Sequence, residues 1–217
     1  PNFLKPKEIS IPGDFSSAAF LIVATLITEK SKLKICGVGL NYFRIGLLDV
    51  LKKMDAKIIV RNKKRVNGEL VGDIEIKSSK LKAVILKKEN TARLIDEFPI
   101  LFVAASYAKG RSEFYGLKEL KIKESDRLET MADALRNVGV DVKKGMDSLH
   151  IEGQERNQGG KEIKTNDDHR IAMSLLVFGL ASEKPITVDD MSFINTSFPN
   201  FKGLLQKLGG KIEFVPK

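Results

Sequence analysis

Tryptophan is absent and cysteine occurs once, at Cys36, in a chain of 217 residues. A lone cysteine excludes an internal disulfide framework and a thiolate metal site, and it fits a reducing, cytoplasmic setting. Histidine is almost as scarce, with only His150 and His169. No grouping of His, Asp and Glu has metal-ligand spacing. The longest apolar runs, such as Ala18–Ile27, fall well short of the roughly 20 residues of a membrane span. No signal peptide is evident. The GxGxxG, Walker, GxSxG and CxxC patterns are missing too, which removes the commonest dinucleotide, phosphate-loop, serine-hydrolase and dithiol readings. The first residue is Pro1 rather than Met, as in a processed chain or a piece of a longer one.

What is present is ordinary for a globular protein: 42% hydrophobic and 30% charged residues. A chain of this length buries roughly 70% of its unfolded surface and needs no staple. The net charge of +9 admits nucleic acid, a membrane surface or an acidic small molecule as partner. Much of the excess lies between Lys57 and Lys88, including Arg61, Lys63, Lys64 and Arg65. That stretch has no aromatic residue on which a base could stack. Its alternation and the Asn67-Gly68 turn signal predict solvated hairpins rather than a nucleic-acid surface.

The sequence repeats. An acid leads an apolar helix at Asp14-Phe15-Ser16-Ser17-Ala18, at Asp96-Glu97-Phe98-Pro99-Ile100, and at Asp168-His169-Arg170-Ile171-Ala172. A strand-like run follows each: Leu33–Gly37, Ser112–Tyr115 and Pro185–Val188. Amphipathic helices then end at Met54, Val138 and Leu208, before runs starting at Ala56, Val140 and Gly210. The unit is β-α-β-α-β-β, and the copies fall at about 8–75, 76–150 and 151–217. The leading helices are apolar all round and belong inside. The fold class is α+β, a single domain over 1–217 with three buried parallel helices. Parallel packing would gather Asp14, Asp96 and Asp168 at one end.

Two cationic clusters sit at predicted helix starts. Lys123-Glu124-Ser125-Asp126-Arg127 opens a helix over Ser125–Val138, and Asp168-His169-Arg170 opens another. A helix N-terminus disfavours cations, so Lys123, Arg127 and Arg170 make sense around a bound anion. On a helix Lys123, Glu124 and Arg127 would share one face, a carboxylate between two cations. Against this stands the plainer reading of a surface Glu124–Arg127 pair. Asp96, Asp14 and Asp168 could each be simple N-caps, with Ser16 competing for the first. His169 could titrate near neutrality or merely pack.

The motifs Gly13-Asp14-Phe15-Ser16-Ser17-Ala18-Ala19, Lys123-Glu124-Ser125-Asp126-Arg127-Leu128 and Asp168-His169-Arg170-Ile171-Ala172-Met173 closely resemble those of the 5-enolpyruvylshikimate-3-phosphate synthase family. The three come in the family's order and span nearly the whole chain, and Thr196-Ser197-Phe198-Pro199 fits as well. The resemblance implies one lobe, the C-terminal one, of the enolpyruvyl transferase inside-out α/β barrel, with the N-terminal lobe absent. It implies transfer of the enolpyruvyl group of phosphoenolpyruvate to the 5-hydroxyl of shikimate 3-phosphate, with no metal or organic cofactor. Asp96 would bind the ring hydroxyls and act as base, Glu124 would move the methylene proton, and Lys123 would contact shikimate 3-phosphate. Arg127 and Arg170 would clamp phosphoenolpyruvate, supported by Asp168 and His169. Replacing either arginine by Ala should then weaken substrate binding with little loss of stability. Thr196 stands where some members carry Lys, and Glu119 where some carry Asn. The alternatives are a lobe of a UDP-N-acetylglucosamine enolpyruvyl transferase, which shares the fold, and a basic nucleic-acid-binding module. A lone lobe is expected to turn over little, since half a cleft excludes no water and assembles only part of the site.

Overall fold

A computed structural model describes residues 8–215. In the first unit, α1 (Phe15–Ile27) leads to β1 (Lys32–Gly39), α2 (Gly46–Lys53), β2 (Lys57–Val66) and β3 (Glu69–Lys77). The second holds β4 (Ile85–Leu86), a 3-10 segment (Lys88–Glu97), α3 (Phe98–Ser106), β5 (Gly110–Tyr115), a second 3-10 segment (Lys118–Ile122), α4 (Arg127–Asn137), β6 (Asp141–Lys144) and β7 (Ser148–Gly153). The third comprises β8 (Glu162–Ile163), α5 (His169–Gly179), β9 (Thr187–Val188), α6 (Ile194–Ser197) and α7 (Phe201–Lys207).

Helices α1, α3 and α5 pack on one another in the centre. Phe98, Phe102 and Phe178 have no solvent exposure, and Ile22 and Val23 are equally closed. Helices lacking a polar face have nowhere else to go. The surrounding elements supply the other half of the core. In α4 the predicted stripe of Leu128, Met131, Leu135 and Val138 is buried. Gly139 follows with φ at +91°, and its N–H bonds Arg136 O.

The sheets restate the repeat. The first has order β1-β3-β2 and the second β4-β5-β7-β6. In each, the two strands after the amphipathic helix form a hairpin, and the last strand inserts at the centre. Asn67 and Gly68, both at positive φ, turn β2 into β3. The third unit departs from expectation. Only β8 and β9 pair, and residues 211–215 form no strand where one was predicted from Gly210 onward. A strand exists through its partner. The counterpart of β3 and β7, which would pair with this run, is missing among the described residues, and the final two positions of the third unit lie outside them. The second helix of this unit is also split into α6 and α7. Pro199 lies between them, and the preceding Phe198 takes φ −141° and ψ 74°.

Candidate functional site

The three buried helices start at the same end of the molecule, and each start is tied to the next. Ser16 Oγ, in the first turn of α1, donates to Glu97 Oε1 at the head of α3, at 2.6 Å. Arg170 Nη1, in the first turn of α5, donates to Asp96 O at 3.3 Å. At the far end Tyr107 O–H, just past α3, donates to Phe178 O in the last turn of α5 at 2.8 Å. The axes of α3 and α5 are therefore parallel, as the repeat predicts.

The acids at these starts play unlike parts. Asp14 is the cap of α1, accepting from Ser17 N at 2.7 Å, so Ser16 is free to face Glu97. Asp168 is the cap of α5, accepting from Arg170 N at 2.9 Å and Ile171 N at 3.4 Å. Asp96 caps nothing: the cap position of α3 belongs to Glu97, which makes no side-chain cap bond. The Asp96 carboxylate turns instead to Arg127 Nη1 at 3.3 Å and Lys123 Nζ at 3.4 Å.

The cluster before α4 is built differently from expectation. That helix starts at Arg127, behind Asp126, whose side chain accepts from Glu129 N at 2.9 Å. Lys123, Glu124 and Ser125 precede it, with Lys123 extended at φ −84° and ψ −158°. These residues meet through a bend and not through helical periodicity, because the stronger cap signal is Asp126.

Arg127 is the hub. Its side chain has no solvent exposure. Nε donates to Asp168 Oδ2 at 2.8 Å, and Nη2 reaches Asp168 Oδ1 at 3.4 Å and Glu124 Oε2 at 2.5 Å. Ser125 Oγ adds a bond to Asp168 at 3.1 Å. A cation at the head of a helix opposes the dipole; here the carboxylates of Asp168, Asp96 and Glu124 outweigh that cost. The surface-pair reading of Glu124 and Arg127 is thereby overturned for Arg127. Its partner Asp168 is equally buried, so loss of Arg127 is expected to cost more stability than its place at a predicted helix start suggested.

Burial pushes Asp96 up, yet the fields of Arg170, Lys123 and Arg127 and the Lys123 hydrogen bond prevail, holding its carboxyl below the usual aspartate value. Glu97 goes the other way. Burial raises it, and neither the Ser16 hydrogen bond nor Arg170 fully offsets that. His169, the first residue of α5, is held below the usual imidazole value by burial and then by Arg170. The sequence reading gave no role to Glu97 or Arg44 and saw Ser16 only as a rival cap; Arg44 Nη2 donates to Ser16 Oγ at 3.1 Å. An acid directly followed by an apolar helix with no exposed face was the available signal for Glu97; Arg44 had none. Thr196 turns its hydroxyl back to Phe193 O at 2.7 Å, and Glu119 is exposed in the second 3-10 segment. His150 stands apart on β7, against Arg111 at 2.6 Å. Among the described residues no group of three or more His, Cys, Asp or Glu is placed to hold a metal ion.

Residues 1–205 match the family model described as EPSP synthase (3-phosphoshikimate 1-carboxyvinyltransferase). A 3-phosphoshikimate 1-carboxyvinyltransferase of Bartonella quintana is 48% identical over 211 residues, covering 96% of this chain and 48% of that protein. One from Parvibaculum lavamentivorans is 46% identical over 207 residues, 95% of this chain and 46% of the other. The EPSP synthase structure from Acinetobacter baumannii superposes with a TM-score of 0.91 at 40% identity, covering 94% of this chain and 48% of that one. The enolpyruvyl transferase NikO of Streptomyces tendae shares the fold, with a TM-score of 0.68 at 18% identity. The chain thus spans about half the length of the relatives it matches.

Proposed function

Because this chain belongs to the EPSP synthase family, we propose that it is the C-terminal lobe, a single domain, of an enzyme that transfers the enolpyruvyl group of phosphoenolpyruvate to the 5-hydroxyl of shikimate 3-phosphate and releases phosphate. The observation that carries this reading is the meeting of Asp96, Lys123, Glu124, Arg127 and Arg170 at one end of three aligned helices. Helix starts and guanidinium forks suit the carboxylate and phosphate of one substrate and the phosphate of the other. The rest of the protein would close the other wall of the cleft. We place it in the cytoplasm, a reading that the free Cys36 supports; no helix among the described residues is long and apolar enough to cross a membrane.

In this reading Arg127 and Arg170 take phosphoenolpyruvate, Lys123 takes shikimate 3-phosphate, and Asp96 accepts the proton of the 5-hydroxyl as its oxygen bonds to the enol carbon. Glu124 delivers a proton to the methylene, giving the tetrahedral adduct. Return of a methyl proton to a carboxylate with departure of phosphate restores the double bond. Three cations hold Asp96 below its usual value, which makes it a weak base in the empty site. Two bound anions would offset that field and restore its basicity. Asp168 and His169 support the arginines. The test is phosphate release from both substrates, with the full-length gene product beside the 217-residue chain. We expect turnover from the former and almost none from the latter. A full-length protein that binds neither substrate would refute the assignment.

A further inference from the structure

In the substrate-free site the charges already balance. Lys123, Arg127 and Arg170 face Asp96, Glu124 and Asp168, three cations against three carboxylates. Arg127 has no exposed surface to offer an incoming anion. An oxyanion can reach its guanidinium only if one of the three carboxylates leaves.

They are not equally able to leave. Asp168 is fully buried and accepts from Ser125 Oγ, Arg127 Nε, Arg170 N and Ile171 N. Moving it would unmake the cap of α5 and strand a buried charge. Asp96 is held by Lys123 as well as Arg127, and Arg170 grips its backbone carbonyl. Glu124 is half exposed, pairs with Arg127 at Nη2, accepts no hydrogen bond that would anchor it elsewhere among the described residues, and sits on the short bend between the second 3-10 segment and α4.

Resting on the function proposed above, we propose that Glu124 is a built-in stand-in for the substrate anion. Its carboxylate occupies Arg127 in the empty site, and a carboxylate or phosphate of phosphoenolpyruvate expels it on binding. The exchange trades one ion pair for another on a guanidinium that Asp168 and Asp96 hold throughout, so its remaining outer face is never left without an anion. It also has a kinetic use. The carboxylate expelled from Arg127 is the group that must next face the methylene carbon; once it has taken a proton from water in the open cleft, it stands where it can deliver that proton.

The test is calorimetric titration of phosphoenolpyruvate alone into the full-length protein carrying Glu124→Gln or Glu124→Asp. Gln removes the charge. Asp keeps it but is one methylene too short to span the gap from the same backbone. Both variants should bind phosphoenolpyruvate about fivefold more tightly than the wild type. Tightening in Glu124→Gln alone would mean a general field effect and overturn the stand-in. Equal or weaker binding in both would overturn it as well, while leaving the anion site intact. Absence of binding in the wild type and both variants, with shikimate 3-phosphate present as well as without it, would remove the stand-in, and failure to bind shikimate 3-phosphate too would remove the functional reading.

Discussion

Arg127 and Arg170 carry the same charge at two helix starts, yet burial divides their fates. Removing Arg127 strips a fully buried carboxylate, Asp168, of its main cation. Arg127→Ala is therefore expected to cost about 3–5 kcal/mol of folding stability. Arg170 is only partly buried and its bond to Asp96 O is long, so Arg170→Ala should cost under about 1 kcal/mol. Urea unfolding of both variants would show the contrast, and equal midpoints would contradict it. Glu97 gives a pH signature. Its folded value is raised, so its contribution to stability is present below the ordinary glutamate range and is lost as pH rises through the folded value. Asp96 has the opposite sign, its contribution being lost only in more acid solution. Glu97→Gln should thus match the wild type near pH 4 and melt higher at pH 7. A melting difference that does not change with pH would exclude Glu97 as the source.

At the level of elements, periodicity and punctuation spoke clearly wherever a segment fixes its own conformation. Three featureless apolar helices could only be central, and Asn67-Gly68 could only be a tight turn. What stayed hidden depended on a distant partner. Nothing near Arg127 in the chain announces that Asp168, 41 residues on, will bury it. The bend at Lys123–Ser125 arose because Asp126 outcompetes the residues before it for the cap. The strand expected after α7 depends on a neighbour that is not present among the described residues. A parallel pair as short as β8 and β9, two residues each, is marginal without further strands. In hydrogen exchange of the 217-residue chain, amides of β8 and β9 should lose protection well before those of β3 and β7. Equal protection across the three units would show that the third is completed in some other way.

Across the whole molecule, the aligned helices set one end apart from the other. The ionic cluster lies at their heads. At their tails, between α1, α5 and α7, is a hollow of about 810 Å³ whose walls combine Leu21, Ala24, Leu180 and Leu205 with the charged Lys30 and Glu183. The family could be read from sequence because its motifs are contiguous, and the candidate site residues could be expected to meet because those motifs recur at equivalent points of a repeat. Neither reading could foresee that the positive side chains would arrive already neutralised.

Parallel alignment has an electrical consequence of its own. Side-by-side peptide dipoles pointing the same way do not cancel as they would in an antiparallel bundle. With a net charge of +9, those dipole ends add to the pull that the proposed function needs on two phosphorylated metabolites, a pull that fades as dissolved ions thicken around both.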